Sequence, residues 1–180
     1  QLGTYLCRAD EAALQAAKQA DAELEAGHDR GPLHGIPVGV KDIVATADLP
    51  TTAQSLVLDP RWGERDDAVV VARLRAAGAV ITGKTTTMEF AIGLPDPTKP
   101  FPIPRNPWAS DRWAGGSSSG TANGVAAGMF WAGIGTDTGG SIRMPSALCG
   151  ITGLKPTFGR VPKSGVVPLS WSFDHVGPMA

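Results

Sequence analysis

Two glycine-serine turns and the short chain between them constrain this 180-residue sequence more than anything else in it. The first is Gly115-Gly116-Ser117-Ser118-Ser119-Gly120 and the second is Asp137-Thr138-Gly139-Gly140-Ser141-Ile142-Arg143. Residues 121–129, rich in Ala and Gly, read as a helix whose small side chains let other backbone come close. Residues 130–135 read as a strand. Helix and strand thus join two turns that each present serine hydroxyls among glycines.

The rest of the chain supplies a scaffold of the same kind. Asp10 can cap a helix over residues 10–26, which Gly27 ends. Residues 31–42 are too broken by Gly31, Pro32, Gly35, Pro37 and Gly39 for a helix, and read as an extended segment that delivers Lys41 from apolar backbone. A second helix over residues 66–77, Gly78, and a strand over 79–83 form an αβ unit. A short helix is expected over Arg143–Cys149 and a further strand over 151–154, while the proline-rich residues 94–107 read as surface loop. No linker divides these elements, so one α/β unit is expected.

A composition 42% hydrophobic and 18% charged suits a chain with a real core. The net charge of −1 gives no footprint for nucleic acid or an anionic membrane surface. No run approaches the ~20 apolar residues of a membrane span. Cys7 and Cys149 are too few for a disulfide framework and read as reduced thiols in a cytoplasmic protein. The chain opens on Gln1 and its last residues stop in mid-pattern without a closing element, so it reads as a fragment.

Amide hydrolysis needs a nucleophile that loses a proton, donors for an oxyanion, and a proton for the leaving nitrogen. In Thr138-Gly139-Gly140-Ser141 two glycines precede a serine, which allows successive backbone N–H groups to point into one concavity beside a hydroxyl. The helix expected behind Ser141 adds its N-terminal partial charge. Of the three histidines, His28, His34 and His175, none lies in a motif that explains these turns. A lysine can serve as the base when burial lowers its pKa, and Lys41, among Ile36, Val38, Val40 and Ile43, is the candidate. Ser117 can relay the proton between Lys41 and Ser141.

These pieces resemble the amidase signature family of serine hydrolases. The likeness runs over residues 31–180 and is carried by Gly39-Val40-Lys41-Asp42, the two turns, and Gly153-Leu154-Lys155-Pro156-Thr157-Phe158-Gly159-Arg160-Val161. It implies a Ser–cis-Ser–Lys triad of Ser141, Ser117 and Lys41, with the backbone amides of Thr138, Gly139, Gly140 and Ser141 as the oxyanion hole. Asp137 and Arg143 match residues that hold the nucleophile turn in shape, and Ser118 joins that network. The resemblance also implies a three-layer α/β/α fold around a large mixed sheet, incomplete here, so that residues 1–180 make the N-terminal and catalytic-core part of a longer domain. Small-molecule amides and water are the implied partners, with no cofactor, metal, nucleic acid or membrane; a homodimer stays open.

Rival readings remain at this point. The first turn lacks the Gly-Lys-Ser/Thr that closes a phosphate-binding loop. Ser172, Asp174 and His175 contain the types of a histidine triad, but adjacent Asp and His side chains rarely align in that geometry, so His175 reads as structural or at the edge of the pocket. The same site also suits the amidase subunit of a tRNA-dependent amidotransferase. That branch carries a second glycine where Ser119 stands and a tyrosine where Phe158 stands, so the sequence leans toward stand-alone amidases. A truncated, inactive product is the third reading.

Overall fold

The structure is a computed structural model and describes residues 2–180. Three strands form its centre: β2 (Pro37–Lys41), β3 (Val80–Thr85) and β6 (Ala132–Asp137). They run parallel, with β2 between the other two. Antiparallel strands close both sides, β1 (Tyr5–Arg8) beside β3 and β7 (His175–Met179) beside β6, giving a mixed sheet in the order β1-β3-β2-β6-β7. A separate ribbon pairs β4 (Arg105–Asn106) with β5 (Ala109–Trp113). The helices are α1 (Asp10–Glu25), α2 (Val69–Ala76), α3 (Ser119–Ala126) and α4 (Arg143–Cys149).

Alternation along β2 divides its side chains between two faces. Val38 and Val40 join Val71 of α2, Ile81, Val167 and Val176 in one apolar core. On the other face a second cluster, Ala114, Ala122, Ile142, Cys149 and Met179, binds α3 and α4 to the sheet. Burial pushes the Cys149 thiol up to about 11, so this cysteine behaves as a small apolar side chain. Both cysteines are free.

The small residues of α3 allow a close approach. A Cβ at Gly120 would lie 2.3 Å from the Thr4 carbonyl oxygen and 2.5 Å from the Thr86 nitrogen. One at Gly133 in β6 would lie 2.4 Å from a Thr121 methyl. The start of α3 is thereby packed against Thr4, the residue after β3, and β6. Gly120→Ala is expected to destabilise the protein by about 1–3 kcal/mol, because backbone on two segments must move, and denaturant unfolding measures it.

Several boundaries differ from the sequence reading. Asp10 is the first residue of α1 and no side chain caps it; Asp10 pairs instead with Arg8 at 2.9 Å as the chain leaves β1. The second helix starts only at Val69, since Ala68 is extended and its N–H bonds the Ala45 carbonyl at 3.0 Å. Phe130 turns in beneath Gly39 and Gly124, which moves β6 two residues along. The strand expected over 151–154 reduces to a bridge between Gly153 and Met179. Residues 94–107, read as loop throughout, contribute β4. The last residues, read as stopping in mid-pattern, form β7, an edge of the sheet.

Candidate active site

Lys41 ends β2, and the parallel register brings it beside the end of β6, where Thr136 and Asp137 emerge. The carboxyl ends of parallel strands are where open α/β sheets bind ligands. Lys41 is fully buried, and its Nζ lies 2.7 Å from Ser117 Oγ and 2.7 Å from Thr136 Oγ1. Burial brings the amine down to about 7, against the opposing carboxylates of Asp137 and Asp174. Ser117 follows a cis peptide bond from Gly116 and is itself buried. The lysine and the expected relay serine are therefore in direct contact.

The second turn is built around Asp137. Its carboxylate accepts the N–H of Gly140 at 2.8 Å, of Ile142 at 3.1 Å and of Arg143 at 3.3 Å. The Arg143 guanidinium adds a two-pronged pair at 3.0 and 2.9 Å. Burial alone would raise the Asp137 pKa, but Arg143 and the three amides outweigh it and hold the group at about 2. Gly140 adopts φ +130°, which a side chain would resist. Asp137 and Arg143 thus shape the turn, and Ser118 ties it to α3: its N–H donates to the Ser141 carbonyl at 3.2 Å, while its hydroxyl bonds the Thr136 backbone.

The four backbone amides expected as oxyanion donors differ in their partners. Gly140 is occupied by Asp137, whereas the N–H groups of Thr138, Gly139 and Ser141 have no intramolecular acceptor among the described residues. Ser141 is partly exposed beside Gly139, whose missing side chain faces open space. The Ser141 carbonyl is bonded to Ser118, the residue after Ser117; no hydrogen bond between the Ser117 and Ser141 hydroxyls is formed. A cleft of about 460 Å³ opens alongside, lined by Thr136, Thr138, Asp174, Trp171, Val166 and Val167.

His175 takes no part in a serine triad. Its Nδ1 lies 2.6 Å from the Phe173 carbonyl oxygen, its Nε2 lies 3.3 Å from Lys155 Nζ, and its ring meets Phe158 edge-on. His34 is buried against Glu23 at 3.1 Å, far along the chain from the turns. Among the described residues no three His, Cys, Asp or Glu side chains gather into a metal-binding cluster, and no helix is long and apolar enough to cross a membrane.

Three contacts were not legible in the sequence: Thr136 with Lys41, Asp174 with Thr138, and a second buried lysine, Lys84, with Asp42 at 3.2 Å. Asp42 follows Lys41 directly, and Lys84 stands between Gly83 and three threonines in a strand; those were the available signals.

The Amidase family model matches residues 1–180. A protein of Mycobacterium tuberculosis named as an amidase, AmiD, is 51% identical over 179 residues, covering 99% of this chain and 37% of its own length. A glutamyl-tRNA(Gln) amidotransferase subunit of Rhodopirellula baltica is 50% identical over 174 residues, with 95% of this chain and 34% of its own covered. Identity therefore does not separate the two branches. The native peptide amidase of Stenotrophomonas maltophilia superposes with a TM-score of 0.87 at 43% identity, covering 99% of this chain and 37% of that one. The chain thus spans little more than a third of the length of the relatives it matches, and its mixed sheet is theirs. Matched by the family model over its whole length, the chain belongs to the amidase signature family.

Proposed function

We propose that this chain carries the catalytic core of an amidase that hydrolyses an amide C–N bond through an acyl-enzyme on Ser141. The observation that carries the reading is the buried contact between Lys41 Nζ and Ser117 Oγ at 2.7 Å, made by an amine whose pKa lies at about 7. Near neutrality such an amine is substantially unprotonated and can accept a proton.

The steps follow from the positions. Ser141 Oγ attacks the substrate carbonyl carbon as its proton passes to Ser117 Oγ and the Ser117 proton passes to Lys41 Nζ. An N–H of Lys41 meanwhile donates to Thr136 Oγ1, 2.7 Å away, which keeps the lone pair aimed at Ser117. The carbonyl oxygen, now anionic, meets the free N–H groups of Thr138, Gly139 and Ser141. The C–N bond breaks as the relayed proton returns to the leaving nitrogen, and ammonia or an amine departs. Water then adds to the ester by the same relay, releasing the carboxylic acid and restoring Ser141.

A second reading keeps this site and sets it to releasing ammonia from glutamine for a partner protein. The likeness to the Rhodopirellula amidotransferase favours it. The departures at Ser119 and Phe158 favour the stand-alone amidase. Release of ammonia from simple amides without any partner separates the two.

A fluorophosphonate probe applied to the intact protein is expected to label Ser141, with the adduct located by peptide mapping. Ser141→Ala should remove the label. Adducts on Ser117 or Ser172 with Ser141 untouched would overturn the assignment.

A further inference from the structure

The turn that bears the free amides is fastened at both ends by carboxylates, and only one of them, Asp137, lies in the motif itself. The second is Asp174. The Thr138 hydroxyl donates to Asp174 Oδ1 at 2.5 Å, while Asp174 Oδ2 accepts the N–H groups of Leu169 and Ser170, each at 2.9 Å. Asp174 is only 8% exposed. Three donors converge on a carboxylate that is packed against the cleft wall, so its position is well determined.

Its location explains what such a contact does. The ladder between β6 and β7 ends at the pair Asp137 and His175. Thr138 is the first residue beyond that pair, and the sheet no longer dictates where its peptide plane points. Gly139 and Gly140 follow, with no side chains to anchor them. Asp137 holds the far end through the N–H of Gly140 and Ile142. The near end has the Thr138–Asp174 bond.

We infer that Asp174 is a positioning residue which, through the Thr138 hydroxyl, sets the direction of the backbone amides of Thr138 and Gly139 for the oxyanion. This rests on the acyl-transfer reading of the same turn. Oxyanion donors act only within hydrogen-bond distance of the developing charge, and a displacement of 1 Å can cost ~100-fold. A threonine whose hydroxyl merely satisfied a loop would carry no such consequence.

The test uses the intact protein and the second-order rate of fluorophosphonate labelling at Ser141, which needs no knowledge of the natural amide. Rates are compared at about pH 9, above the value of about 7 to which burial brings Lys41, and since Asp174 raises that value, its removal leaves the amine neutral and does not act through the base. Thr138→Val should slow labelling by about 10–100-fold, and Asp174→Ala at least as much, since it leaves the Thr138 hydroxyl with no acceptor at that position. Because both break one contact, the double variant should be no slower than the slower single within about twofold. Thr138→Ser, which restores the hydroxyl, should recover the parental rate.

Labelling of Thr138→Val at the parental rate would overturn the inference, as would losses that multiply in the double variant or a serine that fails to rescue. Thr138→Val alone suffices if Asp174→Ala does not fold. Failure of the unmutated protein to label at Ser141 would sink the acyl-transfer reading and this inference with it. Normal labelling of the parent with indifferent variants would sink only the inference.

Discussion

Lys41→Ala is expected to lower turnover by about 10²–10⁴-fold, the range a positioned base contributes, while His175→Ala keeps most of the activity. The two substitutions separate the lysine device from a histidine one, because His175 is bonded to a backbone carbonyl and Lys155 rather than to any serine. The pH profile gives the sign. Only the neutral amine accepts a proton, so the rate should rise with pH through about 7, where burial has brought Lys41, and remain high in alkali. A profile that falls on the alkaline side below about pH 9 would point to a protonated group as the essential form. Stability should rise with pH as well, but over a higher range. The folded pKa lies below the unfolded one, so folding is opposed at neutral and acid pH by the cost of burying the amine, and that cost fades as pH rises from about 7 toward 10.5. Lys41→Met, which carries no charge to bury, should therefore melt no lower than the parent at neutral pH while remaining inactive. An inactive variant that also melts far lower would leave unfolding as the cause.

How much of this was legible in the sequence follows from the range of each interaction along the chain. The second turn is local: Asp137, Gly140, Ile142 and Arg143 bond one another within six residues, and the helix over Arg143–Cys149 has the bounds its sequence suggests. The apolar run around Lys41 announces burial because Val38 and Val40 lie on a core strand just before it. Thr136 carries no comparable mark; its hydroxyl meets Lys41 only because β2 and β6 lie side by side, a pairing across 95 residues. Asp174 drew attention for its neighbour His175, yet its contact is with Thr138, 36 residues back across the end of the β6–β7 ladder. The edge strands β1 and β7 are short and acquire their character from the strands they flank. Side chains joined through sheet register are invisible to local pattern even where each residue type is suggestive.

Lys84→Met should destabilise the protein by about 3–5 kcal/mol, the cost of leaving one partner of a buried ion pair without the other. Lys84 and Asp42 are 0% and 1% exposed, with 3.2 Å between Nζ and Asp42 Oδ1. Burial lowers the lysine pKa and the carboxylate opposes the shift. Further bonds fasten both members: Lys84 Nζ donates to Thr51 Oγ1 at 2.6 Å and to the Pro50 carbonyl at 3.3 Å, and Asp42 Oδ2 accepts the Thr52 N–H at 3.1 Å and hydroxyl at 2.5 Å. The pair thereby knots the segment after β2 to the end of β3, and Asp42 immediately follows Lys41. Methionine fills the space of the lysine stem but leaves the carboxylate facing an apolar wall. Lys84→Met combined with Asp42→Asn should recover much of the loss, because the amide oxygen can still accept from Thr52 and no charge is stranded. Equilibrium unfolding in urea distinguishes the cases. If Lys84→Met unfolds at the parental midpoint, the pair contributes nothing to holding this end of the sheet. If the double variant is as unstable as the two single losses added together, the two groups act independently. Recovery in the double would mean that an isolated carboxylate, rather than a lost lysine, is what the fold cannot tolerate beside β2.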